Sequence, residues 1–430
     1  MATLAVFLIG LIALFLLGFG APYAIGLVSA FVLLMDNGLA DFPVHTVAQK
    51  VINSGNSFTL IAIPFFLLAG NLMNTGGITR RVFKFCQTVV GWIPGGLGHA
   101  NVLASVVFAG MSGSAVADAA GLGTIEIKAM EDQGFDTDFS AAITAASSTI
   151  GPIIPPSIPM IVYATTAGTV AVSQLLMAGV LPGILMAVTL SIMVAIISIR
   201  RGYPKSEFPK ARVLLKDFKE SILSLMTPII LIGGMLSGIF TPTEAAVVAV
   251  VYAFILTVFI YREVRIKELW DIVLNTAKES ACVLFIICAS NLYGYLLTRA
   301  RIPQIMVEVI TSVTTSKVVV LILVNILFLI VGCFMDCNAA IMVMTPALMP
   351  LVEAVGIDPI HFGVIMVLNL MIGLLTPPVG MCLYTVSRVA KLPLDRTIKA
   401  VGPFYLPLLV TLILVTFIPS LSTFIPSLIH

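Results

Sequence analysis

Long apolar stretches separated by short polar ones run the whole length of the chain. A helix needs about 20 apolar residues to cross the hydrocarbon of a bilayer. On that measure the first half is predicted to span near 2–18, 20–36, 56–74, 139–163 and 170–199. The second half is predicted to span near 222–238, 242–260, 279–297, 362–386 and 403–425. Segments 94–110 and 115–130 are short and flank a small polar turn, Gly110–Ser114, with no charged loop residue between them. Irregular backbone at membrane depth is tolerated only inside protein or against water, so the pattern predicts a re-entrant hairpin over about 94–130. A second hairpin is predicted over about 317–354, turning at Gly332–Asn338. Residues 75–91 and 298–315 are too polar or too short to span easily and read as interfacial arms, with Trp92 at an interface.

The pattern repeats. Gly18 and Pro22 match Gly238 and Pro242 at an offset of 220, and Ala69–Asn71 matches Ala289–Asn291 at the same offset. Gly151 and Pro155-Pro156 match Gly373 and Pro377-Pro378 at an offset of 222, as Gly134-Phe135-Asp136 does Gly356-Ile357-Asp358. Four matches in one order are not expected from composition alone. Five spans plus a hairpin per half force the second half to enter the membrane in the opposite sense. The expectation is an all-α integral membrane protein of two inverted repeats, each about five transmembrane helices plus a re-entrant helical hairpin. Residues 1–199 form the first repeat, 200–221 a cytoplasmic basic linker and 222–430 the second.

Charge sets the orientation. The linker carries Arg200, Arg201, Lys205, Lys210, Arg212, Lys216 and Lys219, which the positive-inside rule places in the cytoplasm. Arg80, Arg81 and Lys84 then fall inside, with the basic groups at 262–267 and 388–399, whereas Arg299 and Arg301 fall on the less expected side. Both termini are expected in the periplasm. An alternative count takes 78–110 as a full span and gives parallel repeats, at the loss of this charge agreement. The first 18 residues lack a basic n-region and a convincing cleavage site, so they read as a span and not a signal peptide.

Composition narrows the class. Charged residues make up 10% of the chain, 59% is hydrophobic and the mean hydropathy is +1.11, so lipid is the solvent for most of it. A net charge of +2 is too small and dispersed for nucleic acid. The four His and six Cys show neither zinc-ligand nor disulfide spacing. A Ser-His-Asp arrangement, paired catalytic acids and an H-E-x-x-H motif are all missing from the sequence, so no enzyme is expected.

Chemistry is expected where helices break. Gly151-Pro152 and Pro155-Pro156 interrupt the fourth span; Gly373 and Thr376-Pro377-Pro378 interrupt the ninth. Proline removes an amide donor and frees a carbonyl upstream. Freed carbonyls with Ser or Thr hydroxyls are hard oxygen ligands for Na+. Two pseudo-symmetric cation sites follow. One pairs Ser112, Gly113 and Ser114 with Gly151 through Pro155. The other pairs Gly332, Cys333 and Asp336 with Gly373 through Thr376. Asp336 either touches a cation or caps the second hairpin arm. Asn71 and Asn291 either hydrogen-bond the broken helices or line the solute site. Thr241-Pro242-Thr243-Glu244 reads as a capping box, with Thr241 as N-cap and Glu244 at N3.

The segments Ala62–Met73, Gly110–Gly123, Ile150–Tyr163, Gly238–Ala246 and Leu374–Tyr384 together resemble the large membrane subunit of the tripartite ATP-independent periplasmic (TRAP) transporters, over essentially the whole chain. The resemblance implies a bacterial inner-membrane permease that works with a small TRAP membrane subunit and a periplasmic solute-binding protein. It implies import of an organic acid on a sodium gradient by an elevator movement. The family's hairpin serines match Ser112 and Ser114, and its second cation site looks like the backbone around Gly332, Cys333, Gly373 and Thr376. The sequence looks most like sialic-acid members. A C4-dicarboxylate importer and a stand-alone sodium/organic-anion symporter are the alternatives.

Overall fold

The computed structural model describes residues 7, 10, 11, 13, 14, 17–38, 41–314 and 316–428. Most of the expected first span, 2–18, and both chain ends lie outside them. Among the described residues every regular element is helical, and eight helices are long and apolar enough to cross a membrane.

The first half runs α1 (Ala21–Asn37), α2 (Val44–Gly55), a 3-10 turn (Phe58–Ile61) and α3 (Ala62–Thr75), then the arm α4 (Ile78–Val90). The hairpin follows as α5 (Gly96–Ser112), α6 (Ala115–Ala120) and α7 (Leu122–Asp132). Then come α8 (Thr137–Ser148), an irregular break, α9 (Ile158–Ala167), α10 (Val172–Ala178) and α11 (Val180–Arg201). The second half runs α12 (Ala211–Leu236), α13 (Pro242–Phe254), α14 (Ile266–Arg299) and the arm α15 (Ile302–Val313). Its hairpin is α16 (Lys317–Phe334) and α17 (Cys337–Val355). After α18 (Pro359–Gly373) come a second break, α19 (Met381–Val389), α20 (Leu394–Val401) and α21 (Tyr405–Phe417).

Local sequence sets these ends. Gly20 precedes α1 with Pro22 in its first turn, and Thr241 precedes α13 with Pro242 in the same role. The expected capping box is present: Glu244 N–H donates to Thr241 Oγ1 at 3.3 Å, and Thr241 N–H donates to Glu244 Oε2 at 2.8 Å. Such a pair satisfies two otherwise orphaned amides. Gly202 ends α11 in a left-handed turn, with Arg200 and Arg201 in the last turn where the helix dipole favours cations. Residues at the repeat offsets share conformations: Gly18 with Gly238 and Gly134 with Gly356 have positive φ, and Pro155-Pro156 and Pro377-Pro378 are both cis.

Two elements differ in extent from the sequence reading. Helix α12 begins at Ala211, so it takes in half of the basic 200–221 stretch and leaves 203–210 without regular secondary structure. Helix α14 is 34 residues long, well beyond the apolar core expected at 279–297. Its polar first third lacks the hydropathy that marks a span, but Thr276 there accepts a hydrogen bond from Asn71 of α3.

Packing gathers the helices into two groups that also touch each other directly, α14 of the first lying against α17 of the second. In one, α14 lies against α1, α2 and α3, and α13 against α3. In the other, α5 packs on α8 and α16 on α18. The arm α4 joins the groups by packing on both α12 and α5. Ion pairs fix its polar face: Lys84 to Asp217 at 2.9 Å and Arg81 to Glu263 at 2.7 Å. On α11, Ile184, Val188, Ile192, Ile196 and Ile199 form an exposed apolar stripe at helical spacing, which only lipid or a partner can cover.

Candidate ion and solute site

The first break occupies residues 149–157, all buried. Helix α9 restarts from Ser157, whose hydroxyl accepts from Met160 N–H at 3.2 Å and donates to the Pro152 carbonyl. The hairpin tip is seated on this break. Gly113 turns the chain with φ +64°, and a Cβ there would stand 2.5 Å from the Pro156 carbonyl oxygen. Both the left-handed conformation and the close approach require glycine. A Cβ on Gly151 would lie 3.7 Å from the Ser114 carbonyl. Ser112 Oγ is buried and has no protein hydrogen-bond partner. Ser114 caps α6, accepting from Ala117 N–H at 3.4 Å. The structure therefore brings Ser112, Gly113 and Ser114 to the Gly151–Pro155 break.

The second break is packed still more tightly against its own hairpin. A Cβ on Gly373 would fall 2.6 Å from Gly332 Cα and 2.7 Å from its carbonyl oxygen. Val379 N–H donates to the Cys333 carbonyl at 3.1 Å, so the tip and the break are joined main chain to main chain. Thr376 Oγ1 donates to Ile372 O at 2.9 Å, and Cys333 Sγ to Leu329 O at 3.0 Å. The threonine oxygen keeps its lone pairs, whereas the cysteine offers its carbonyl and not a thiolate. Asp336 caps α17: its Oδ1 accepts from Asn338 N–H at 2.9 Å and Ala339 N–H at 3.4 Å. Of the two roles open to Asp336 in the sequence, capping is the one it fills here.

Each post-break helix packs on the hairpin of the opposite half. Helix α9 of the first half packs on α17 of the second hairpin, and α19 of the second half packs on α6 of the first hairpin. On α11 and α21, Thr189 and Thr411, 222 residues apart, touch through their hydroxyls at 2.8 Å.

Below the first tip lies a network that sequence reasoning missed. Asn101 donates to Glu126 Oε2 at 2.8 Å and to Thr144 Oγ1 at 2.7 Å, and Ser147 Oγ donates to Asn101 Oδ1 at 2.6 Å. All four residues are buried. In the second half Asn369, 222 residues beyond Ser147, donates to Asn325 Oδ1 at 2.8 Å. A glutamate at 126 inside an apolar hairpin arm was the available signal.

The two asparagines part company. Asn71 donates to Thr276 Oγ1 and Glu279 Oε2, each at 3.0 Å, tying α3 to α14. Asn291 lines a cleft of about 340 Å³ between α2, α9, α14 and α17. Those helices come from both packing groups and include a post-break helix and a hairpin arm.

Comparison with known proteins follows this geometry. The chain matches the family described as the tripartite ATP-independent periplasmic transporter, DctM component, over residues 8–421. It is 40% identical to the sialic acid TRAP transporter large permease protein SiaM of Vibrio cholerae, over 97% of each chain. It is 40% identical to the C4-dicarboxylate TRAP transporter large permease protein DctM of Pseudomonas aeruginosa, over 89% of this chain and 90% of that one. The YdaH transporter of Alcanivorax borkumensis has a similar solved structure, with a TM-score of 0.60 over 87% of this chain and 88% of that one; at 13% identity the likeness is one of fold alone. With its long apolar helices, tip-on-break geometry and end-to-end match, the chain is a multi-pass, non-enzymatic membrane protein that belongs to the DctM family of TRAP-transporter large permeases.

Proposed function

We propose that the chain imports a small organic acid across the bacterial inner membrane on a sodium gradient. The solute is delivered by a periplasmic solute-binding protein, and a small TRAP membrane subunit completes the permease. The observation that carries this reading is the seating of each hairpin tip on a helix break. In the first, Gly113 meets the Pro156 carbonyl beside an unpartnered Ser112 hydroxyl; in the second, Gly332 meets Gly373. Carbonyls and hydroxyls at a protein-enclosed break are hard oxygen ligands of the kind that can replace the hydration shell of Na+. Two cation sites are proposed: Ser112–Ser114 with Gly151–Pro155, and Gly332–Cys333 with Gly373–Thr376, Asp336 orienting the second tip through its cap.

Residues 1–199 and 222–430 are read as inverted repeats about the basic 200–221 stretch, with both termini periplasmic. Reciprocal packing of α9 on α17 and α19 on α6, with the Thr189–Thr411 contact, supports a two-fold relation, because a two-fold axis makes such contacts in pairs and passes between equivalent residues. The hairpins, breaks and post-break helices then move as one body against the α12–α14 group in an elevator step, with the arms as hinges. Cation binding precedes and orders the tips around the acid.

Sialic acid is the proposed substrate. The equal identity to the sialic-acid and C4-dicarboxylate relatives keeps a C4-dicarboxylate as the second reading. Reconstitution with the small subunit in liposomes tests the proposal. Uptake of labelled sialic acid should need both the binding protein and an inward sodium gradient. Sodium-driven uptake without the binding protein would point to a stand-alone symporter, and full-rate uptake without any ion gradient would end the coupling claim.

A further inference from the structure

Lys50 enters the cleft from α2, its ammonium 4.5 Å from the centroid of the Tyr295 ring. Among the described residues that line the cleft it is the one cation, and no Asp or Glu is among them. An ammonium held over an aromatic face keeps donors free on its far side. The hydroxyls around it are arranged in one sense. Thr165 donates to Ile161 O at 2.9 Å, Thr166 to Val162 O at 2.7 Å and Thr298 to Gly294 O at 2.9 Å. Each spends its proton on its own helix and presents lone pairs to the cleft. Ser290 is different: it lines the cleft, is 1% exposed and its hydroxyl has no hydrogen-bond partner. A buried polar group without a partner is costly, and a ligand can relieve that cost.

We infer that this cleft is a subsite for a hydroxylated monocarboxylate, with Lys50 receiving the single carboxylate and Ser290 and the threonine oxygens engaging the hydroxyls. The inference rests on the reading of the chain as an organic-acid permease. A dicarboxylate without hydroxyls supplies acceptors only. Its second carboxylate would meet threonine lone pairs and no second cation, and would have to rely on the neutral donors of Asn291, Ser57 and Tyr295, which compensate a carboxylate less well than an ammonium does. A hydroxylated monoacid supplies the donors that the threonines lack. The cleft thus separates two substrate classes that sequence identity leaves level.

The test uses the permease co-purified with its small subunit, in lipid nanodiscs with saturating sodium. Calorimetric titration with N-acetylneuraminate, gluconate and succinate reads binding directly, and proteoliposome uptake runs in parallel. A hydroxylated monocarboxylate is expected to bind roughly ten-fold or more tightly than succinate, the worth of a charge-assisted hydrogen bond. Lys50→Gln should lose a similar roughly ten-fold in affinity, Lys50→Arg should stay within about three-fold, and Ser290→Ala should lose less than Lys50→Gln. Tighter binding of succinate overturns the inference. So does no binding of either monocarboxylate, unchanged affinity in Lys50→Gln, or equal loss in the Arg and Gln variants with melting curves intact. Uptake that persists in Lys50→Gln with an unchanged KM removes the Lys50 assignment and leaves the transport reading standing. Lys50-dependent binding without uptake does the reverse.

Discussion

Gly373→Ala should part the second hairpin from its helix break. The new Cβ would sit 2.6 Å from Gly332 Cα and carbonyl carbon. Carbon atoms settle at about 3.5–4.0 Å, so α16 and α18 must separate locally by roughly 1 Å. The opposing atoms are main chain and cannot rotate away. Overpacking of a tight core costs about 1–3 kcal/mol. Removing a helical glycine returns about 0.5–1 kcal/mol. The net loss is therefore centred on about 1 kcal/mol, within a range of about 0–2.5 kcal/mol. Because the contact joins the two elements of the proposed second cation site, sodium half-saturation for uptake should rise as stability falls. Thermal unfolding in detergent reads the stability, and proteoliposome uptake across a sodium series reads the half-saturation. Two variants bracket the argument. In Gly332→Ala the nearest atoms are Gly373 Cα at 3.2 Å and Leu370 Cδ2 at 3.4 Å, so the effect should be milder. In Gly233→Ala the Cβ meets nothing within 4 Å, and stability should hold or rise by up to about 1 kcal/mol. Steric contact is the wrong cause if Gly373→Ala melts like the parent, or if Gly332→Ala is the more damaging.

Ser112→Ala and Thr376→Ala should each raise the sodium concentration for half-maximal uptake while abundance in the membrane stays near the parent's; equal loss of both would favour a packing role. Asn101→Ala strips partners from Glu126, Thr144 and Ser147 together, and at about 1–3 kcal/mol for each buried group left unsatisfied it should sharply lower the melting temperature and the yield. Asp136 is held below the usual carboxylate range by the Tyr203 hydroxyl at 2.6 Å and then by Arg201 at 2.9 Å. Its contribution is present above the ordinary aspartate pKa and is lost as pH falls through the lowered one, so Asp136→Asn should flatten the acid limb of a melting-temperature profile.

The hairpins and breaks were legible because a membrane forbids exposed backbone: a polar Gly-Ser turn or a Pro-Pro pair in an apolar run has to be enclosed. The capping box at Thr241–Glu244 was legible because its four residues are contiguous. The extent of α14 was not, since its polar start is held by contact with α3, through Asn71 and Thr276, and not by its own hydropathy. Asn71 and Asn291 occupy matching places in the repeat, and no local pattern distinguishes them. Only the fold gives Asn71 to Thr276 and Glu279 and leaves Asn291 to the cleft. The place of Lys50 in the cleft was not legible either, because its Tyr295 neighbour lies far along the chain.

The exchange of post-break helices between halves has a consequence for biogenesis. Helix α9 leaves the ribosome long before α17, the surface that covers it, has been made. The leading half must therefore wait in the bilayer with that face of α9 bare, although its own hairpin tip can already seat on the first break. Assembly completes only when the trailing half arrives, and the two contacts become possible in order, α9 with α17 first and α6 with α19 afterwards.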